Sequence, residues 1–145
     1  MVSVSEKLVT ARIAIATCNI TFSSAVAPQL VKDNQIKKGD VMGAARIAGI
    51  MASKKTPELI PLCHPVPISH VSVELDLDEE RKAILIKSTV TCDGKTGVEM
   101  EALTAASTAA LTVYDMCKAV DKAMVIGDLK VILKDGGKTG RWELK

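Results

Sequence analysis

The chain has 145 residues, which predicts a single domain over residues 1–145, and 48% of them are hydrophobic, ample for a core. With one Trp, one Tyr and one Phe, that core must be aliphatic, and recognition of nucleic acid by aromatic stacking is disfavoured. A net charge of only +2, from 19 basic and 17 acidic residues, lacks a basic footprint, so we expect no nucleic-acid partner.

The cysteines and the N-terminus indicate the compartment. The four cysteines form no C-x-x-C pair, which argues against a zinc cluster and fits a reducing compartment: Cys18, Cys63, Cys92 and Cys117. The polar N-terminus does not resemble a signal peptide, and no apolar run reaches the ~18 residues of a membrane span. We therefore expect no membrane partner and a cytoplasmic location in a prokaryote; in a eukaryote the mitochondrial matrix is the alternative.

The first third of the chain predicts one strand and two helices. Residues 11–18 alternate in the manner of a strand. A pair of serines at residues 23–24 is expected to cap a short helix that ends near residue 33. Asp40 is a plausible N-cap for a second helix over residues 41–53, whose apolar side chains recur every three to four positions.

Prolines and a hairpin occupy the middle of the chain. Pro57 suits the first position of a short helical turn, and three later prolines hold residues 62–64 in a stiff extended segment. Residues 71–75 alternate as a half-exposed strand, four charged residues at 78–81 form the tip, and residues 84–90 form the return strand.

The remaining residues predict a long helix from about residue 98 to 120, a last strand over residues 125–133 and a glycine-rich basic tail. Strand, helix, hairpin, helix and strand in this order are the split βαβ pattern of the ferredoxin-like class. We therefore predict an α+β fold with an antiparallel sheet packed with helices. Because the long helix is apolar on nearly all sides, we expect another subunit to cover part of it in a homo-oligomer.

A glycine-flanked motif precedes the long helix. Gly94-Lys95-Thr96-Gly97 recurs as Gly137-Lys138-Thr139-Gly140, but neither copy is a P-loop, because Thr89 and Ile132 stand where that motif requires its first glycine. Two such loops in a small protein indicate a phosphate-rich ligand.

Four basic residues are candidates for binding that ligand. Lys38 precedes the helix over residues 41–53, where backbone N–H groups favour an anion, and Arg46 lies on that helix. Lys95 and Lys138 lie in the glycine loops. An ordinary surface charge remains an open alternative for each of them.

One stripe of the long helix is polar, at positions that lie within about a third of its circumference: Glu101, Thr104, Thr108, Thr112, Asp115 and Lys118. The stripe can equally be a solvated face, and its last two members a surface ion pair. Glu101 and Asp115 are 14 positions apart, hence about 21 Å along the helix, so both cannot touch one reacting atom from the same subunit. If both are catalytic, the site is either extended or built across an interface.

His64 is held between Cys63 and Pro65, and a histidine set this stiffly suits proton transfer, although a structural role stays open. Its spacing from Cys63 and His70 matches no standard zinc site, so we predict no metal.

Five blocks, in order along nearly the whole chain, resemble the cyclic pyranopterin monophosphate synthase family, the molybdenum cofactor biosynthesis protein C family: Lys37-Lys38-Gly39-Asp40, Ala45-Arg46-Ile47-Ala48-Gly49, Leu59-Ile60-Pro61-Leu62-Cys63-His64-Pro65, Gly94-Lys95-Thr96-Gly97-Val98-Glu99-Met100-Glu101-Ala102-Leu103-Thr104 and Tyr114-Asp115-Met116-Cys117-Lys118-Ala119. The resemblance implies a ferredoxin-like fold, a homohexamer built as a trimer of dimers, and an active site at a dimer interface.

The resemblance also implies the reaction. The substrate is the cyclised GTP intermediate (8S)-3′,8-cyclo-7,8-dihydroguanosine 5′-triphosphate, and the products are cyclic pyranopterin monophosphate and pyrophosphate. We expect no redox cofactor, because atoms are rearranged without net electron transfer. Whether Mg²⁺ accompanies the triphosphate is left open.

By motif, the resemblance places five residues at substrate-contact positions, namely Leu62, Cys63, His64, Met100 and Glu101. It makes Asp115 the catalytic acid/base, and Lys38 and Lys118 the essential lysines. We expect Lys118 to shuttle protons with Asp115, and Lys38 to do so from the neighbouring subunit or to hold phosphate. Ser3 departs from the family, whose members often have Asp there. A non-catalytic oligomer that binds an anionic metabolite is the alternative function.

Overall fold

A computed structural model describes residues Met1–Lys145 as a five-stranded sheet with helices packed on one face. The strands are β1 (Thr10–Thr21), β2 (Ile68–Asp78), β3 (Ala83–Gly94), β4 (Val125–Asp135) and β5 (Trp142–Glu143). The helices are α1 (Val26–Lys32), α2 (Val41–Ser53), α3 (Thr56–Leu59) and α4 (Glu99–Cys117). None of the helices is long and apolar enough to cross a membrane.

The strand order is β2-β3-β1-β4-β5, and every neighbouring pair is antiparallel. Strands β1 and β2, which α1 to α3 connect, therefore run parallel with β3 between them, and β3 and β4 run parallel with β1 between them. These two split βαβ units confirm the predicted ferredoxin-like α+β fold.

Local boundaries differ where the sequence signal was weak. Asp40 caps α2 as predicted, its carboxylate accepting the Gly43 N–H at 2.9 Å. The first short helix begins at Val26, whose N–H donates to the Ser24 hydroxyl at 3.3 Å, and Ala25 between them has no capping side chain. Helix α4 ends at Cys117 instead of near residue 120. Beyond it the N–H groups of Val120 and Asp121 both donate to the Cys117 carbonyl oxygen, which forms a turn.

Packing on the inner face of the sheet depends on small side chains. The alanines of α4 are fully buried between α2 and the sheet: Ala102, Ala105, Ala106, Ala109 and Ala110. Gly49 of α2 lies so close to α4 that a Cβ atom there would stand 2.8 Å from the Ala105 carbonyl oxygen. The second apolar side of α4 is thus covered by α2 of the same chain, so this helix does not by itself require a partner subunit.

The opposite face of the sheet carries no helix. Along β1 the inward residues are buried, whereas Ile13 and Ile15 on the other face remain half-exposed. Apolar side chains are also exposed on the helical layer, at Ile47, Met51 and Leu111. The homo-oligomer remains a prediction.

Candidate active site

The N-terminal end of α4 borders a cavity of about 410 Å³. All five residues predicted to contact substrate line it together: Leu62, Cys63, His64, Met100 and Glu101. Two structural features bring them there. The proline-rich segment after α3, residues 61–67, passes the N-terminal end of α4. The first glycine loop, residues 94–97, leads the chain from β3 into α4. Residues of the N-terminal arm, Val2, Val4 and Lys7, complete the lining.

Glu101 is the main titratable group of this cavity. Its side chain is only 2% exposed, and burial raises the pKa of its carboxyl group; its own backbone N–H opposes this effect and the charge of Glu99 adds to it. Burial also raises the pKa of the Cys63 thiol, to which the nearby charge of Glu101 contributes. A carboxyl group in such surroundings is suited to hold and to release a proton next to a bound ligand.

The C-terminal end of α4 carries a second cluster. Asp115 lies between two lysines, with its Oδ2 atom 2.9 Å from Lys38 Nζ and its Oδ1 atom 3.0 Å from Lys118 Nζ. Lys38 also donates to the main-chain oxygen of Asp115 at 3.1 Å. Hydrogen bonds from Lys38 and then from Lys118 lower the pKa of the Asp115 carboxyl group, which therefore stays ionised at neutral pH.

The position of Lys38 was not expected from the sequence. We expected Lys38 to shuttle protons from the neighbouring subunit or to hold phosphate; the loop between α1 and α2 places it on Asp115 of the same chain. The reason is topological, because α2 packs beside α4 and its N-terminal end lies at the C-terminal end of α4. The side chains of all three residues are about half exposed, and so accessible to a ligand.

The cavity and the cluster lie at opposite ends of one helix. Glu101 and Asp115 are 14 positions apart in α4, a separation of about 21 Å. The first part of the predicted polar stripe is not a solvated face, because Glu101 and Thr104 are 2% and 8% exposed. Within one chain the cavity and the cluster are therefore two separate regions and not one compact site.

The side chain of Arg12 in β1 contacts both glycine loops. Its Nε donates to the Gly94 carbonyl oxygen at 3.2 Å, and its guanidinium packs against Gly137, where a Cβ atom would collide with it. Gly136 and Gly137 also have positive φ angles of 102° and 74°, which glycine adopts without strain.

A second groove, of about 610 Å³, has a net positive lining: Lys7, Arg12 and Lys138 line it together with one acidic residue, Glu6, and with Thr139. We call it the basic groove. Because Lys7 also lines the first cavity, the two spaces adjoin. Sequence reasoning missed Lys7 and Arg12. A charged side chain near the start of the strand predicted over residues 11–18 was the one signal that could have identified Arg12.

Two predicted phosphate contacts are placed differently. Lys95 donates its Nζ to the main-chain oxygen of Ser5 at 3.1 Å, and so fastens the N-terminal arm. Arg46 lies on α2, away from the cavity, and donates its Nε to the Val73 carbonyl oxygen of the edge strand β2 at 3.0 Å. His64 and Cys63 line the cavity without a metal cluster, since no group of three or more potential ligands comes together in the chain.

A ferredoxin-like α+β fold with a ligand-sized cavity beside a basic groove is typical of a protein that binds a small molecule. The chain belongs to the MoaC family, whose sequence profile matches residues 1–137. This match confirms the family that the five sequence blocks indicated.

Curated relatives match over almost the whole chain, and each of the following is called a cyclic pyranopterin monophosphate synthase. The protein from Jannaschia sp. (strain CCS1) is 59% identical over 143 residues, which cover 99% of this chain and 87% of that protein. The protein from Clostridium perfringens (strain SM101 / Type A) is 56% identical, with 98% and 89% covered. The protein from Chloroflexus aurantiacus (strain ATCC 29366 / DSM 635 / J-10-fl) is 52% identical, with 99% and 87% covered.

Proposed function

We propose that this chain is a lyase that converts the cyclised GTP intermediate to cyclic pyranopterin monophosphate and releases pyrophosphate, a step of molybdenum cofactor biosynthesis. The observation that carries the proposal is the gathering of the five expected substrate contacts in one cavity, in a chain that is 59% identical to a relative of that name. The relatives named above are bacterial, which supports a cytoplasmic location.

The cavity suits the base-derived end of the substrate. Leu62 and Met100 supply apolar contact, while His64 and Glu101 supply polar atoms for the ring that opens and closes again. Because burial raises the pKa of Glu101, its carboxyl group can pass from proton donor to acceptor in a range where an exposed glutamate stays ionised.

The basic groove suits the triphosphate. Lys7, Arg12 and Lys138 point positive charge into a space that adjoins the cavity, and positioned cations stabilise the charge that develops as pyrophosphate leaves. Assay in the presence of excess chelator tests whether Mg²⁺ shares this role.

The cluster of Lys38, Asp115 and Lys118 is the proposed acid–base centre. Asp115 orients both ammonium groups, and each lysine can deliver or accept a proton when a bond to the ring or to phosphate changes. The carboxylate stays ionised and holds the two ammonium groups in place through the contacts of 2.9 and 3.0 Å.

The separation of the cavity from the cluster favours a site that two chains build together. Since about 21 Å of helix separates Glu101 from Asp115, we propose that the cavity of one subunit faces the cluster of its neighbour in a homohexamer built as a trimer of dimers. The exposed apolar residues Leu62 and Leu111 lie near the two regions and supply surface for such contacts.

The test is to supply the cyclised GTP intermediate and to measure pyrophosphate and a pterin. We expect conversion by the wild-type chain, and a loss of about 10²–10⁴-fold in kcat for Lys118→Met, because general acid–base catalysis contributes that much. Lys122→Met, four positions further along, is the matched control and should stay active. Tight binding without conversion would favour the alternative, a non-catalytic oligomer for an anionic metabolite.

A further inference from the structure

A buried carboxylate lies just beyond the catalytic end of α4, in the loop between α4 and β4. Asp121 is 6% exposed and forms no ion pair. Instead it accepts three hydrogen bonds, from the Ser23 N–H at 2.7 Å, the Ser23 hydroxyl at 2.8 Å and the Ala123 N–H at 2.9 Å. Burial alone would raise the pKa of its carboxyl group, but these hydrogen bonds outweigh burial and lower it.

The partner of Asp121 belongs to a distant part of the chain. Ser23 follows β1 and precedes α1, which leads directly to the loop that carries Lys38. Asp121 follows Lys118 by three positions, and its own N–H donates to the Cys117 carbonyl oxygen at 3.1 Å, which closes the end of α4. The Asp121–Ser23 contact therefore joins the segment that precedes Lys38 to the segment that carries Lys118.

The end of α4 needs such a contact. The terminal turn of a helix has unsatisfied carbonyl groups and frays unless other groups hold it. Lys118 is the C-cap residue of α4. Apart from the ion pair of Lys118 with Asp115, the loop is also held by the Tyr114 hydroxyl, which donates to the Lys122 carbonyl oxygen at 3.1 Å. Fraying of this turn would carry Lys118 away from Asp115.

We propose that Asp121 is a positioning residue for the reaction: by latching the end of α4 to Ser23, it holds Lys118 and Lys38 on either side of Asp115. We call the Asp121–Ser23 contact the latch. Its expected effect on turnover rests on the proposed function, whereas its effect on the geometry of the cluster can be measured separately. A carboxylate suits this position because a single group accepts from two backbone N–H groups and one hydroxyl, which no neutral side chain of this size does.

The ionisation of Asp115 reports the geometry directly. The charged groups that face its carboxyl group are Lys38 and Lys118, and both lower its pKa. A displacement of the Lys118 side chain from Asp115 should therefore raise the pKa of Asp115 toward the ordinary value of an aspartate. NMR of the full chain with ¹³C-labelled aspartate carboxyl groups measures this titration, and Asp115→Asn identifies the signal.

We expect Asp121→Ala and the isosteric Asp121→Asn to raise the pKa of Asp115 in the same direction as Lys118→Met. We expect Ser23→Ala to do so to a smaller extent, because it removes only one of the three hydrogen bonds. Turnover should fall roughly ten- to hundredfold in the Asp121 variants, with a smaller change in KM, as for other small displacements of catalytic groups.

Ser53→Ala is the matched control for lost stability. Ser53 is fully buried and donates to the Ile50 carbonyl oxygen at 2.7 Å, in α2 and away from the cluster. This variant should lose stability while Asp115 titrates as in the wild type. If Asp121→Ala does not fold, Asp121→Asn and Ser23→Ala carry the test.

An unchanged titration of Asp115 in both Asp121→Asn and Ser23→Ala overturns the latch, whatever happens to stability or turnover. A shifted titration together with full turnover leaves the latch in place and overturns instead the catalytic role proposed for the cluster.

Discussion

The contact between α2 and α4 gives a prediction whose size can be worked from distances. In Gly49→Ala the new Cβ atom would lie 2.8 Å from the Ala105 carbonyl oxygen and 3.2 Å from a methyl group of Val73. Neither neighbour is the end of a flexible side chain, so the two helices must separate by several tenths of an ångström. Overpacking of this kind costs about 1–3 kcal/mol, whereas replacing glycine inside a helix regains about 1 kcal/mol.

We therefore expect Gly49→Ala to lower the free energy of unfolding by about 1 kcal/mol, measured by urea denaturation. Gly127→Ala is the control, because its Cβ atom would meet only the Asn19 side chain, at 3.7 Å. That variant should stay within about 0.5 kcal/mol of the wild type. A Gly49→Ala variant more stable than the wild type would refute the close approach of α2 and α4.

Three further predictions concern the cavity, the N-terminal arm and the basic groove. Burial of Glu101 raises the pKa of its carboxyl group in the folded chain. The free energy of unfolding of the wild type should therefore fall as the pH rises from the ordinary pKa of glutamate through the raised pKa. Urea denaturation of Glu101→Gln at the same pH values should lack this fall. Lys95→Met should free the N-terminal arm from the Ser5 contact, so trypsin should cleave after Lys7 faster than in the control Lys54→Met; equal rates would show that the contact does not hold the arm. Arg12→Met should weaken pyrophosphate binding about ten- to hundredfold in calorimetry, since it removes charge-assisted hydrogen bonds, and unchanged affinity would place the triphosphate elsewhere.

Local chemistry made much of the fold predictable. Asp40 was identified as an N-cap from its own position, because capping depends on residues only three apart. The strand and helix order was enough to give the topology of the sheet, whose two split βαβ units follow from the connections. The two-residue β5 was missed, since a strand of that length has no alternation to detect.

Long-range contacts were not predictable from the sequence. Lys38 and Asp115 are 77 positions apart, so nothing in either motif indicated that they meet within one chain. Arg12 was missed for the same reason, because its partner Gly94 is 82 positions away. The five cavity residues were named together only because the sequence blocks resemble a family, and no spacing rule relates residues 62–64 to Met100.

The central claim is that the cavity of one subunit works with the Lys38–Asp115–Lys118 cluster of another. It is tested most directly by mixing inactive variants and measuring pyrophosphate release from the cyclised GTP intermediate, with subunit exchange confirmed. Glu101→Ala mixed with Lys118→Met should regain activity, because some interfaces then pair an intact cavity with an intact cluster. Lys38→Met mixed with Lys118→Met should stay inactive, because both changes damage the same cluster. Activity in the second mixture, or none in the first, would contradict the account.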